Sequence, residues 1–401
     1  MLNWLYDAYI RTQLSNMHSG VPSDCPHIER LGYTGDGQLC CEAAMMLLDS
    51  QKFYQKWLED ISDCQNTDNG HVQHTAPFMG GGGGPAGWGG AIAVVPYEMY
   101  KIYGDRETFR RYLPKILRYF DYLDSRSSGG LVCREEQGGW CLGDWCTPEP
   151  IAICEPFVNT VLCVKQMLMT KEAAEAIGEK ETAQMLGRRI EEKRQAILNA
   201  YYSPQTGSFI GDVQGANSFA TDIGLGGERT YENTRKKYSA ADSFDTGIFG
   251  TDILTRVLFE RGDANTAFRL LTSEGKGSFY NMKKHGATTI WENWDGERSH
   301  SHPMFGAATR YLFSFILGIA QEKTSAGYEH ILIAPQIPDG LDYASGHITT
   351  VRGKISVTFK RTESEADFYV TVPQRARFTY GSGCEFELRD GENHIHIDFE
   401  E

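Results

Sequence analysis

No stretch of the sequence reaches the roughly eighteen consecutive apolar residues that a membrane-spanning helix needs. The opening "MLNWLYDAYIRTQLSN" reads instead as an amphipathic helix carrying Asp7 and Arg11, so neither a membrane span nor a signal peptide is expected. Basic residues are scarce: 39 Lys and Arg against 53 Asp and Glu leave a net charge of -14. No Lys/Arg run exists to neutralise phosphates, which excludes nucleic acid as an expected partner. Ten cysteines are dilute in 401 residues and form no C-x-x-C pair, so reduced thiols in a cytoplasmic protein are expected. The five-glycine run lacks the Gly-Lys-Ser/Thr of a phosphate loop, and neither Gly-x-Ser-x-Gly nor His-Glu-x-x-His occurs. His71, His74, His285, His300 and His302 include no helical i, i+4 pair, and no metal or organic cofactor is expected.

What is present divides into two textures. Up to about residue 325, helical patterns follow one another across long glycine-rich loops, and several are apolar on more than one face, as in helices sandwiched between neighbours. A closed ring of paired helices fits this better than a simple bundle. Residues 173–202, "AAEAIGEKETAQMLGRRIEEKRQAILNAYY", read as one helix, as does "GAATRYLFSFILGIAQE", while "NMHSGVP" reads as disordered loop. From about 326 onward, "GHITTVRGKISVTFKRTESEADFYVTVPQ" and its neighbours alternate polar with apolar residues, the mark of antiparallel strands. The expected organisation is a helical domain over 1–325 and a small β domain over 326–401.

Two stretches concentrate carboxylates. "SDCPHIERLGYTGDGQ" places Asp24, Glu29 and Asp36 in a loop stiffened by Pro26 and allowed to turn by Gly32 and Gly35. Asp36 also suits a plain helix N-cap, and Glu29 with Arg30 a solvated ion pair. In "HGATTIWENWDGERSHSHPMFG", Glu292 lies between Trp291 and Trp294 ahead of His302. A carboxylate partly desolvated between indoles is a candidate proton-transfer group, although both rings also suit core anchors. Aromatics in glycine-rich loops, Tyr33, Trp88, Trp140 and Trp145, offer exposed ring faces on which a sugar can stack. Two carboxylates flanking a sugar, one donating a proton and one activating water, are the minimal equipment for glycoside hydrolysis.

In order and spacing, "DCPHIERLGYTGD", "GWGG", "GDW", "ATTIWENWD", "HPMFGA" and "GHITTVRGKISVTF" resemble the bacterial α-L-rhamnosidases of glycoside hydrolase family 78 along nearly the whole chain. The resemblance implies an (α/α)6 barrel followed by a β-sandwich, with no cofactor. It implies Glu29 as general acid and Glu292 as general base. Asp24, Arg30, Tyr33, Asp36, Trp88, Trp145 or Trp140, Trp291 and His302 become substrate-binding residues. The family often has Gly-Trp-Gly-Asp where this chain has Gly87-Trp88-Gly89-Gly90, and Arg plus an acid where it has His27 and Ile28. Most members also carry β domains ahead of the barrel.

The expected activity is therefore removal of a terminal α-L-rhamnosyl group with inversion. The acid and base carboxyls should then stand roughly 6.5 to 9.5 Å apart, leaving room for water. Two rivals stand beside it: another helical-toroid glycosidase or lyase, and a sugar-binding relative without catalysis.

Overall fold

The computed structural model describes residues 1–381 and 383–399. Helices come in pairs, labelled here α1 (Leu2–Ser15), α2 (Thr34–Leu47), α3 (Gln51–Asp63), α4 (Ala91–Tyr103), α5 (Arg106–Ser125), α6 (Glu155–Ala176), α7 (Lys180–Tyr201), α8 (Ala216–Asp222), α9 (Gly227–Ser239), α10 (Ile248–Glu260), α11 (Ala264–Thr272) and the short α12 (Phe279–Lys284). A last, irregular helix runs as a 3-10 turn over Met304–Thr309 and a π turn over Leu312–Ile316.

The even members from α2 to α10 and the 304–316 segment pack side by side in sequence, and that segment closes the ring against α2. The odd members from α1 to α11 cover this ring from outside. Burial explains the arrangement. In α6 residues 157–164 are buried without interruption, and in α10 residues 248–255 are, because inner helices touch neighbours on every side. Outer α5 buries Phe109, Tyr112, Leu113, Ile116, Tyr119, Phe120 and Leu123, a single stripe at helical spacing.

Long connections lead from each outer helix to the next inner one, over 16–33, 64–90, 126–154, 202–215, 240–247 and 273–303, whereas the returns are two to four residues long. All inner helices thus start at the same end of the ring, and the long connections gather there. Three of them begin as hairpins: β1 (Met17–His18) with β2 (Val21–Pro22), β3 (Ser127–Ser128) with β4 (Leu131–Val132), and β5 (Tyr202–Ser203) with β6 (Ser208–Phe209). "NMHSGVP" is therefore ordered: Ser19 and Gly20 take φ of 53° and 79°, the two left-handed positions that let a two-residue turn follow strand twist. The single helix expected over 173–202 is broken at 177–179, where Gly178 adopts φ 90° and the chain reverses from α6 into α7.

Two four-stranded sheets follow, built from β7 (Ile319–Gln321), β8 (Ile331–Ile333), β9 (Tyr343–Thr350), β10 (Gly353–Arg361), β11 (Glu365–Val372), β12 (Ala376–Tyr380), β13 (Cys384–Leu388) and β14 (Gly391–Asp398). Their orders are β14-β11-β10-β9 and β13-β12-β8-β7, antiparallel except where β8 meets β12. Alternation decides which faces meet: Ile355, Val357 and Phe359 of β10 and Ala366, Phe368, Val370 and Val372 of β11 point into the sandwich. The first strand, Ile319–Gln321, belongs to "LGIAQ", read from sequence as helix and placed ahead of the expected boundary at 325. All ten cysteines are free, and no helix among the described residues is long and apolar enough to cross a membrane.

Candidate active site

Two of the gathered connections are built alike, and each carries one of the two glutamates singled out from sequence. In the first, the Asp24 N–H donates to the Leu31 carbonyl at 3.0 Å and the Leu31 N–H returns to Asp24 Oδ1 at 2.8 Å. In the second, the Glu292 N–H donates to the Ser299 carbonyl at 2.8 Å and the Ser299 N–H returns to Glu292 Oε2 at 3.1 Å. Each loop is pinched shut by an acid, with an arginine at positive φ just before the closing residue: Arg30 at 56° and Arg298 at 115°. Such backbone costs about 1–3 kcal/mol and persists only where surrounding contacts impose it. The rigidity inferred for "SDCPHIERLGYTGDGQ" thus comes from Asp24 closing its own loop. Glu29 rides on the projecting part.

His302 joins the two loops. Its Nε2 stands 2.7 Å from Asp36 Oδ1, and its Nδ1 is 3.7 Å from Glu292 Oε2. Asp36 lies inside the first turn of α2, whose N-cap residue is Tyr33, so the helix-cap reading of Asp36 gives way to an ion pair with His302. Arg298 Nη1 approaches the other Glu292 oxygen at 3.5 Å. Burial would make the His302 cation costly, but the carboxylates of Asp36, Glu292 and Asp24 outweigh it and hold His302 above its usual range.

Glu29 belongs to the same electrostatic unit. Partial burial and the adjacent Asp24 carboxyl push its pKa up, while His302 and Arg298 pull in the opposite direction. Those two cations also lie beside Glu292, so both glutamates are within the field of the same two charges. Tyr33 stands close by: burial and the Glu29, Asp24 and Asp36 carboxylates push its phenol up to about 12. Two buried polar atoms inside the cluster, Asp24 Oδ2 and His302 Nδ1, have no hydrogen-bond partner among the described residues. Arg30 is exposed and forms no ion pair with Glu29 among the described residues.

The aromatics divide. Trp88 is 4 % exposed and packs edge-on against Phe249, so the expected open platform is instead a wall. The reason is the glycines: Gly35 and Gly83 let backbone close directly over the indole, where a Cβ would come within 2.6 Å. Trp291 is likewise covered, stacked on His300 with ring centroids 4.5 Å apart, and Trp294 is a core residue against Phe244 and Phe305. Trp145 is half-buried, and Trp140, 59 % exposed, lies over Gly82 of the glycine run. At Gly90, where the family often has Asp, a Cβ would meet the Gln166 amide at 2.0 Å. Gln166 donates to the Ala86 carbonyl at 2.9 Å and supports this loop from within the ring.

Sequence reasoning missed four residues here. Arg298 carries no compositional signal; only its backbone conformation sets it apart. Cys146, in "GDWC", is buried with φ 61°, and burial together with Glu292 and Asp36 pushes its thiol well up, which puts the Trp145 loop beside the cluster. Asp144 accepts from the N–H groups of Gly247, Phe249 and Gly250 at 2.7, 2.9 and 3.1 Å, tying that loop to the start of α10. Burial nonetheless pushes Asp144 up to about 7. Glu135 is buried against His71, His74 and Tyr122 in the wall behind Trp88.

Six helical hairpins with acids gathered where the inner helices begin define a class of toroidal glycosidase folds, and comparison narrows it. The chain belongs to the bacterial α-L-rhamnosidase six-hairpin glycosidase family, whose domain model matches residues 1–316; the bacterial α-L-rhamnosidase C-terminal domain matches residues 318–379. An α-L-rhamnosidase of Streptomyces avermitilis is 28 % identical over 438 residues, covering 99 % of this chain and 41 % of its own length. One from Alteromonas sp. is 27 % identical and covers 88 % of this chain and 40 % of its own. The solved Streptomyces avermitilis α-L-rhamnosidase complexed with L-rhamnose superposes with a TM-score of 0.88 at 25 % identity, over 99 % of this chain and 41 % of that one. The α-L-rhamnosidase from Dictyoglumus thermophilum, at 20 % identity, shares the fold with a TM-score of 0.89, over 99 % of this chain and 49 % of that one. The chain spans about two fifths of the length of the curated relatives it matches.

Proposed function

We propose that this chain carries the catalytic apparatus of an exo-acting, inverting α-L-rhamnosidase, with Glu29 as general acid and Glu292 as general base. The observation that carries the reading is the convergence of both glutamates on His302 and Arg298, from loops 263 positions apart in sequence. Glu29 has the character of a proton donor, since partial desolvation and Asp24 favour its neutral form although the residue as a whole is exposed. Glu292 is held in place at both oxygens by Ser299 and Arg298 and faces His302, as suits a group that orients and deprotonates a water.

In this reading the unpartnered Asp24 Oδ2 accepts a sugar hydroxyl, and the half-buried faces of Tyr33 and Trp145 meet the methyl group and C–H face of a 6-deoxy sugar. Family relatives that bear the name α-L-rhamnosidase, one of them solved with L-rhamnose, support the choice of sugar. Protonation by Glu29 lets the aglycone oxygen leave as a hydroxyl while water attacks C1 from the Glu292 side.

A panel of aryl glycosides tests the substrate. The aryl α-L-rhamnoside should be hydrolysed, with the glucoside, mannoside and arabinoside left intact. Preference for another sugar would transfer the site to a different toroidal glycosidase, and binding of rhamnose without any turnover would make the chain a lectin-like relative.

A further inference from the structure

We infer that His71, His74 and Glu135 form a binding site for one divalent transition-metal ion of the zinc type, separate from the glutamate pair. The ligand atoms of these three buried side chains all lie within 4.8 Å of one another. His71 Nε2 is 3.4 Å from Glu135 Oε1 and His74 Nε2 is 2.9 Å from Oε2, so the two imidazoles address different oxygens of one carboxylate. The rings are 5.6 Å apart and nearly perpendicular, at 87°, which leaves their Nε2 atoms converging.

A hydrogen-bonded cluster without metal accounts for only part of this arrangement. Glu135 is well supplied, with the Tyr122 hydroxyl and the Glu136 N–H both donating to Oε1. His71 Nε2 is less well placed: buried, it stands 3.4 Å from Oε1 without good hydrogen-bond geometry, and a poorly satisfied buried nitrogen is costly. A tetrahedral ion about 2.0–2.2 Å from two imidazole nitrogens and a carboxylate oxygen needs ligand atoms roughly 3.3 Å apart. The observed 2.9 and 3.4 Å separations are of that size but run to different oxygens, so the carboxylate must turn to present one oxygen to an ion held by both imidazoles. With the ion bound, His71 gains a partner and Tyr122 keeps its bond to Glu135 as an outer support of the ligand. Two imidazoles with one carboxylate are the donor set of zinc and its neighbours, not of calcium or magnesium.

Helical histidine spacing could not reveal this cluster, because two loop histidines meet a third ligand from 61 positions beyond His74. The place also suggests the ion's effect. His74 sits in the 64–90 connection, and its carbonyl receives the Thr34 N–H at 2.9 Å beside the Tyr33–Thr75 bridge. Glu135 sits in the 126–154 connection that carries Trp140 and Trp145. A metal here would staple two connections that flank the proposed sugar site, without touching Glu29 or Glu292.

The test needs no knowledge of catalysis. The full chain, stripped with a chelator and dialysed against zinc chloride, is assayed by elemental analysis and by X-ray absorption at the zinc edge. One zinc per chain with two imidazoles and oxygen in its first shell is expected, together with an upward shift of the thermal midpoint on loading. Exposed His394 and His396 also share one oxygen of Asp367, at 2.7 and 3.0 Å, so the location is read from variants: His71→Ala should lose the ion and His396→Ala should keep it, and the reverse would overturn the assignment. No retained zinc, a sulfur ligand, or a shell with a single imidazole would each overturn the assignment.

Discussion

The two ends of the helical ring both bury charge, and they bury it differently. Where the inner helices end, a cavity of about 350 Å³ is lined by Glu42, Glu98, Lys165, Asp252, Arg256 and Arg310. There each of these cations faces a carboxylate. Arg310 lies 2.8 Å from Asp252 and 2.7 Å from Glu42, Arg256 pairs with Asp222, and Lys165 reaches Asp222 at 3.6 Å. Burial and Glu42 push Glu98 up to about 8, towards its neutral form. Where the inner helices start, Asp24, Glu29, Asp36 and Glu292 share only His302 and Arg298, and Asp24 Oδ2 and His302 Nδ1 have no partner. Unpartnered buried atoms occur at both ends, Asp222 Oδ2, Arg256 Nε and Arg310 Nε among them at the first. The difference lies in the balance of charge: at the first end each cation lies against a carboxylate, whereas at the other four acids gather around two cations, the excess that marks a candidate chemical site.

Mutations should break this comparison in opposite directions. The largest effect belongs to the acid-rich end: Glu292→Gln should lower kcat on an aryl rhamnoside by about 10²–10⁴-fold while leaving the urea midpoint in place. Glu29→Gln should spare activated leaving groups and abolish turnover of poor ones, because only the latter need the proton. Equal losses on both would count against Glu29 as the acid. At the charge-balanced end, Arg310→Met leaves Asp252 and Glu42 uncompensated and should cost about 3–5 kcal/mol in denaturant unfolding, with kcat of the folded fraction unchanged. A neutral result there would mean the network does not hold the ring.

Asp24→Asn sharpens the comparison through pH. Glu29 must be protonated to act, so activity falls as pH rises through its raised pKa. Removing the Asp24 charge lowers that pKa, and the alkaline limb of kcat/KM should move to lower pH; an unmoved limb would detach Asp24 from the acid. The smallest effect is expected at exposed Trp140: its change to Ala should alter stability by no more than about 0.5 kcal/mol and raise KM alone.

Periodicity made the ring readable, since inner α4 and α10 and outer α5 differ in how many faces are apolar. It separated "CEPFVNTVLCVKQMLMT" from the helix that follows but set the break some residues early, because residues 173–176 are good helix formers up to the very turn at Gly178. It could not foresee that the 304–316 helix would loosen into 3-10 and π turns before feeding β7. In the site, the two acid loops were legible because they concentrate carboxylates among turn formers. Trp88 misled because glycine beside an aromatic permits closer packing as readily as exposure. Arg298 and Glu135 left no local trace, as their roles arise from contacts made only once the ring has closed.

Stereochemistry tests the pairing of Glu29 with Glu292 most directly, because a base acting through water and a nucleophile attacking the sugar give opposite first products. Proton NMR of the anomeric region during the first minutes of aryl α-L-rhamnoside hydrolysis reads that product before mutarotation. β-Rhamnose accumulating first is the expected result; α-rhamnose first would mean retention and would contradict Glu292 as a base working through water.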